Sequence, residues 1–195
     1  KITFQMALDS PETLTYLGMI DNTILDFHSD ELDDYTKEKE EATLRRLIKA
    51  RSGLNKYGPE DLSGQELLTW EIAAWFLDNQ IDQLKFPHDK YRINQISGVT
   101  VDLPQFLTDT HTILDRRSAK RYLSRLNEFA RVLSEVRFRV IDDAAHGVIP
   151  PDFIVEKTLS GLHAFISDGA KMNPLVTTFE RRLSGISSVT ENEKN

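Results

Sequence analysis

SGQELLTWEIAAWFLDNQIDQLK, residues 63–85, decides the fold class. Ser63 followed by Glu66 has the form of a capping box, in which a serine side chain and a glutamate side chain satisfy each other's backbone N–H groups. Leu67, Trp70, Ala74, Leu77, Ile81 and Leu84 then recur by threes and fours, the spacing of one face of an α-helix. Leu68, Ile72, Trp75 and Phe76 add a second apolar face. A helix that is apolar around most of its circumference belongs in the middle of a bundle or beneath a partner.

Working outward, the same signals recur. Ser10-Pro11-Glu12 opens a first helix, with a serine cap, proline at the first turn and an acid at the positive end of the dipole. Leu14, Leu17, Met19 and Ile20 are its apolar side, and Asp21-Asn22 its stop. Asp30 to Ser52 reads as an outer helix ended by Gly53, with a narrow stripe of Leu44, Leu47, Ile48 and Leu54. Residues 85–103 read as non-helical, with Val99 to Val101 as a short strand, and Asp102-Leu-Pro104 restarts a helix to about Thr112. Asp115 or Ser118 opens the longest helix, whose face steps through Tyr122, Leu126, Phe129, Leu133, Val136, Val140 and Ala144 to a stop at His146-Gly147. Pro151-Asp152 starts the next, with Val155, Leu159, Leu162 and Ile166 as its core stripe. Asn173-Pro174 starts the last, carrying Val176, Phe179 and Leu183. The expectation is an all-α, irregular bundle of about seven helices in a single domain over residues 1–195, with a frayed tail at 185–195.

A chain of 195 residues is long enough for a real core. Its formal charge of −7 argues against nucleic acid and lipid headgroups, which are themselves anionic. The absence of cysteine excludes disulfides, thiolate metal sites and cysteine nucleophiles within these residues. No apolar run approaches the ~20 residues that cross a bilayer, and the opening Lys1-Ile-Thr-Phe4 is not a signal peptide.

Chemistry is sparse. His28, His88, His111, His146 and His163 never form the His-Glu-x-x-His pattern that brings two imidazoles to one zinc. Asp142, Asp143 and His146, the grouping nearest to a metal site, share neighbouring faces of one helix, and read first as a histidine at a helix C-terminus with local carboxylates, ahead of a metal site. Glu66 and Glu71 flank an aromatic face, but Glu66 is accounted for by the capping box. His163, beside its helix's apolar stripe, reads as a partly buried histidine. There is no glycine-rich phosphate loop and no nucleophile elbow.

Read in order, several short segments resemble the N-terminal part of the bacterial family known as domain of unknown function 885. They are Ser10 to Gly18, Leu62 to Glu71, Tyr91-Arg-Ile-Asn-Gln-Ile-Ser-Gly98, Ser118-Ala-Lys-Arg-Tyr-Leu-Ser-Arg-Leu126, Gly147-Val-Ile-Pro-Pro-Asp-Phe153 and Asn173-Pro-Leu175. The resemblance implies a helical, zincin-like metallopeptidase, often an exported and lipid-anchored protein, longer than this chain. Its zinc-binding helix, of the form His-Glu-x-x-x-x-His, and a further acidic ligand lie in the C-terminal half. That segment has no counterpart here, so the resemblance assigns no metal ligand and no catalytic residue to this chain, and expects zinc only in the missing half. What it implies for these residues is one wall of a substrate cleft, with the chain's own C-terminal half and a peptide as partners, in an extracytoplasmic setting. Tyr91, Arg92, Asn94 and Gln95 match a family element that lines such a cleft, although Asn94 and Gln95 equally suit a role in tying down a loop. The face around Trp70 and Trp75 is where the other half docks on this reading. The alternative is a stand-alone helical module for a ligand or protein, with a closed core.

Overall fold

The computed structural model describes residues 7–18 and 20–186. Seven α-helices lie wholly within them: α1 (Pro11–Leu17), α2 (Lys37–Leu54), α3 (Gly64–Lys85), α4 (Val99–Gln105), α5 (Arg116–Ala145), α6 (Asp152–Ser167) and α7 (Pro174–Ser184). No strand occurs among the described residues. They divide into two compact units, one made of residues 7–34 with 91–186 and the other of Tyr35–Lys90.

The second unit is the antiparallel pair α2 and α3 with the turn between them. On α3, Ala74, Leu77 and Ile81 are buried, the seam that the spacing of apolar residues points to. Arg51 of α2 donates to Asp78 at 2.8 Å, and Trp70 Nε1 reaches the Leu54 carbonyl at 3.3 Å. The expected capping box at Ser63 does not form: Ser63 is the N-cap in extended conformation, but its side chain makes no capping bond. Helix α2 starts at Lys37 rather than Asp30, because Thr36 supplies the cap by accepting from Lys39 N, and it runs past Gly53 to Leu54. On its expected stripe only Leu47 is buried, and Ile48 stays half exposed.

The first unit is organised on α5, a helix about 45 Å long at the usual rise per residue. Asp115 and Ser118 open it together in a reciprocal capping box. Its buried residues are Ser118, Ala119, Tyr122, Arg125, Val132, Val136, Arg139 and Asp143, a row along one side of the helix that includes charged side chains. The expected face is therefore turned by about one position: Leu133 and Ala144 are exposed. Residues 20–34, short of any helix, lie on this face with Asp26, His28, Ser29 and Leu32 buried. Their main-chain carbonyls take donors from α5. Arg117 bonds Asp26 O at 3.2 Å, Arg121 bonds the same carbonyl, Arg125 bonds Glu31 O at 2.9 Å and His28 O at 3.3 Å, and Arg131 bonds Leu32 O at 3.4 Å and Asp33 O at 3.3 Å.

Helix α1 stops at Gly18, which takes the left-handed conformation (φ 60°) that glycine adopts without strain, ahead of the expected stop at Asp21-Asn22. Met19 lies outside the described residues. The expected strand at Val99 to Val101 is instead the first turn of α4, so the non-helical stretch closes at Gly98. Pro104 cannot donate to the turn before it, and α4 passes into a π-helical turn, Phe106–Thr110, closed by His111 N on Phe106 O at 2.9 Å. Helix α7 begins as expected, Asn173 accepting from Leu175 N at 3.0 Å, and docks through Tyr122, whose hydroxyl donates to Leu175 O at 2.8 Å. Of the expected tail, 187–195 lies outside the described residues, while Ile186 is buried.

His111 is buried between Arg125 and Ser118. Its Nδ1 accepts from Arg125 Nη1 at 2.9 Å and its Nε2 donates to Ser118 O at 3.2 Å, which requires the neutral ring with its proton on Nε2. Burial, and after it the Arg125 charge, push its pKa down from 6.5 to about 4. At pH 7 the ring is neutral in the folded and the unfolded chain. Below about 6.5 the unfolded chain takes up the proton while the folded one resists to about 4, so stability falls across that window, by on the order of 3 kcal/mol in full. Burial opposes the charge on Asp26, but the N–H groups of Asn22 and Ser29 and the Arg121 guanidinium outweigh it and hold its pKa below 3.8, so its contribution is lost only at lower pH. Urea titrations followed by circular dichroism are expected to show the midpoint falling between pH 7 and 4.5, and His111→Gln to flatten that fall. An unchanged slope in the variant sinks the assignment.

Candidate functional site

The loop from Tyr91 to Gly98 is built around Asn94. Its Oδ1 accepts from Ile96 N at 2.8 Å and Ser97 N at 2.9 Å, its Nδ2 donates to Ser97 Oγ at 2.8 Å, and its own N–H bonds Ser97 O at 3.1 Å. This is an Asx turn, which short polar side chains form by replacing a backbone carbonyl. Gly98 closes it at φ 98°, and a Cβ there would lie 2.4 Å from Arg92 O and 3.0 Å from Ile93 Cα. The Gly98 N–H is bonded by Asp102 Oδ2 at 3.0 Å, which ties the end of the loop to the first turn of α4.

Arg92 anchors the other end. Its Nε lies 2.6 Å from Asp143 Oδ2 and its Nη2 3.4 Å from Oδ1, a two-pronged pair with both side chains largely buried. Asp143 sits in the last turns of α5, and its main-chain carbonyl accepts from Val148 N at 2.9 Å. Arg92 thus fixes the loop to the C-terminal end of the longest helix.

The sequence candidates therefore separate. Arg92 and Asn94 hold the loop in place. Tyr91 presents 41% of its surface to solvent. Gln95, alongside the exposed Ile96, has its Oε1 buried without a hydrogen-bond partner. The loop can offer a neighbouring segment a phenol, an amide and an apolar side chain on a rigid frame, and its Ser97 hydroxyl is already engaged by Asn94 Nδ2.

The other groups weighed in the sequence fall in different places. Asp143 is engaged by Arg92, and His146 lies exposed at the end of α5 with Nδ1 2.8 Å from the Asp142 carbonyl. His163 is exposed on α6 rather than partly buried. Glu66 is exposed and makes no capping box. The two deeply placed histidines are ones that the pattern did not single out: His111, and His28, whose Nε2 lies 2.7 Å from Asp21 Oδ1. No motif spacing marks them, because their partners come from distant segments. A shallow groove of about 670 Å³ at the start of α5 is lined by Asp30, Asp115, Arg116, Arg117, Lys120, Arg121 and Ser124. Arg117 and Arg121 already serve main-chain carbonyls and Asp115 caps the helix, so these groups are committed to the fold.

Residues 11–194 match the sequence model of the family described as bacterial protein of unknown function (DUF885). No curated protein matches. The crystal structure of the putative lipoprotein from Colwellia psychrerythraea superposes with a TM-score of 0.76 at 18% identity, over 97% of this chain and 34% of that one. The likeness shows a shared fold, and this chain spans about a third of the length of that relative.

Gly98→Ala is expected to destabilise the first unit by about 1–3 kcal/mol, since the left-handed backbone and the close Arg92 carbonyl both resist a methyl group. Asn94→Ala is expected to speed amide exchange at Ile96 and Ser97 while leaving α5 protected. Unchanged exchange at those two amides rules out Asn94 as the organiser of the loop.

Proposed function

The chain belongs to the bacterial family DUF885, and on that premise we propose that it is the non-catalytic, N-terminal helical region of an exported zinc metallopeptidase-like protein, forming one wall of the substrate cleft. The observation that carries the reading is the extent of the match: nearly all of this chain corresponds to only a third of a solved lipoprotein chain, leaving room in a family-length protein for a separate catalytic part. In such a protein a zinc ion, held by ligands outside this chain, would supply the metal-activated water that peptide hydrolysis needs. The residues of this chain shape and orient. The Tyr91–Gly98 loop, held by Arg92 and Asn94, offers Tyr91 and Gln95 to a peptide, with buried partners behind it that keep it rigid. No helix among the described residues is long and apolar enough to cross a membrane. The reading attaches the whole protein through a lipid anchor outside these residues.

The alternative, a self-sufficient helical binding module, calls for a closed core. Helix α3 weighs against it: Ile72 is 57% and Trp75 68% exposed on the face that the sequence marks for a partner.

The test is made on the whole gene product. Stoichiometric zinc by mass spectrometry, and peptide hydrolysis abolished by a chelator and restored by zinc, are the expected results. Tyr91→Ala and Gln95→Ala are expected to raise KM with less effect on kcat, as loss of uniform binding does. A whole product without bound zinc or hydrolytic activity defeats the reading.

A further inference from the structure

Helix α6 has an apolar face and nothing buried. Val155, Leu159, Leu162 and Ile166 fall on one side of it, yet none of its residues is buried, and Val155, Leu159 and Ile166 are 40, 49 and 65% exposed. The expectation that this stripe is core is therefore corrected: Val155, Leu159 and Ile166 are exposed and Leu162 is only partly covered. Glu156, Lys157, Ser160 and His163 occupy other sides, and Ile154, Thr158, Leu162 and Phe165 are half-buried, so the helix is amphipathic with the Val155, Leu159 and Ile166 part of its apolar side outward. At 16 residues the helix is barely longer than those that are marginal in water even when rich in alanine, and most helices owe their stability to packing of the apolar face. Gly161 at its centre lowers the intrinsic preference further.

We propose that the Val155–Ile166 stripe is the seam on which the remainder of a family-length chain, lying outside these 195 residues, packs against this one. The proposal rests on the functional reading above and names the partner at a surface which that reading does not specify. Two observations choose the occupant. The solved relative has about twice as much chain outside the matched part as within it, at a TM-score that places this helical framework in both. The polar side of α6 has one lysine against Asp152 and Glu156, the wrong sign and density for an anionic lipid surface, which amphipathic helices bind through rows of lysine and arginine. The face is aliphatic and regularly spaced, the kind that meets another helix by ridges and grooves.

Hydroxyl-radical footprinting of the whole gene product, read by mass spectrometry, tests the seam. Leu159, Leu162 and Ile166 are expected to label several-fold more slowly in the folded protein than in the same protein unfolded in urea, independently of concentration and in a monomer. Leu159→Asp is expected to lower the melting temperature of the whole protein by several degrees. Labelling at the unfolded rate, or an unchanged melting temperature, overturns the proposal. So does protection that vanishes on dilution together with a halving of mass, which assigns the face to a second copy. Zinc content and hydrolysis on the same preparation separate this result from the functional reading. A zinc hydrolase with a freely labelled stripe sinks the seam alone, and a protected stripe in a zinc-free, inactive protein sinks the cleft reading while the seam stands. A gene product no longer than this chain overturns both.

Discussion

A stretch of chain without secondary structure can be buried only if its peptide groups find other partners, because an unpaired carbonyl in the interior costs about as much as a lost hydrogen bond. In the first unit that constraint falls on residues 20–34, and arginines of α5 meet it. Arg117, Arg121, Arg125 and Arg131 follow the helix at roughly one per turn and place guanidinium donors on carbonyls from Thr23 to Asp33. Arginine suits the task, since its planar fork serves several acceptors at once and stays charged when buried. Arg125 is the extreme case, fully buried and bonded to Glu31, His28, Pro11, Thr15 and His111. Burial lowers its pKa only to about 10, so it remains a cation at neutral pH, supported at a distance by Asp21, Glu12 and Asp26.

The same row of side chains links elements that are otherwise far apart. Arg125 meets His111 at the end of the π turn; His111 meets Ser118, which also closes the cap of α5 with Asp115. Tyr122, between them, holds α7 by its hydroxyl, and burial pushes its pKa up to about 12, so the hydroxyl keeps its proton for that bond. Arg182 of α7 returns to the carbonyl of His111 at 2.6 Å. The candidate loop joins this framework at the far end of α5, through Arg92 and Asp143.

Element type was legible in the sequence wherever apolar spacing and caps agreed, as in the seam of α3 and the starts of α5, α6 and α7. The errors share a physical cause. The face of α5 was read one position away because the pattern counts apolar residues, whereas the buried row includes Arg125, Arg139 and Asp143, whose partners lie elsewhere in the chain. The charged run from Asp30 suggested an outer helix, but Asp33 instead trades hydrogen bonds with Ser10 and Glu12 across the fold. The stripe of α6 was read correctly as a stripe and wrongly as core, since periodicity says that a face wants cover without saying where the cover comes from. At the candidate loop, the turn made by Asn94 and Gly98 follows from local chemistry and was open to sequence reasoning. The pairing of Arg92 with a carboxylate fifty-one positions away was not.

The arginine row also orders events in time. Its acceptors are made early by the ribosome and its donors late, with Asp33 and Arg131 separated by 98 positions. Until α5 emerges, residues 20–34 have no donors to settle on, and the first unit gains its core only after the second unit's helix pair has been synthesised between its two parts. Contacts so distant in sequence slow folding through the entropy of closing the intervening loop. The helix pair, whose contacts are local, is free to form meanwhile. The nascent chain therefore carries an unfinished N-terminal segment for about a hundred residues of synthesis, a window in which chaperones and proteases have access to it.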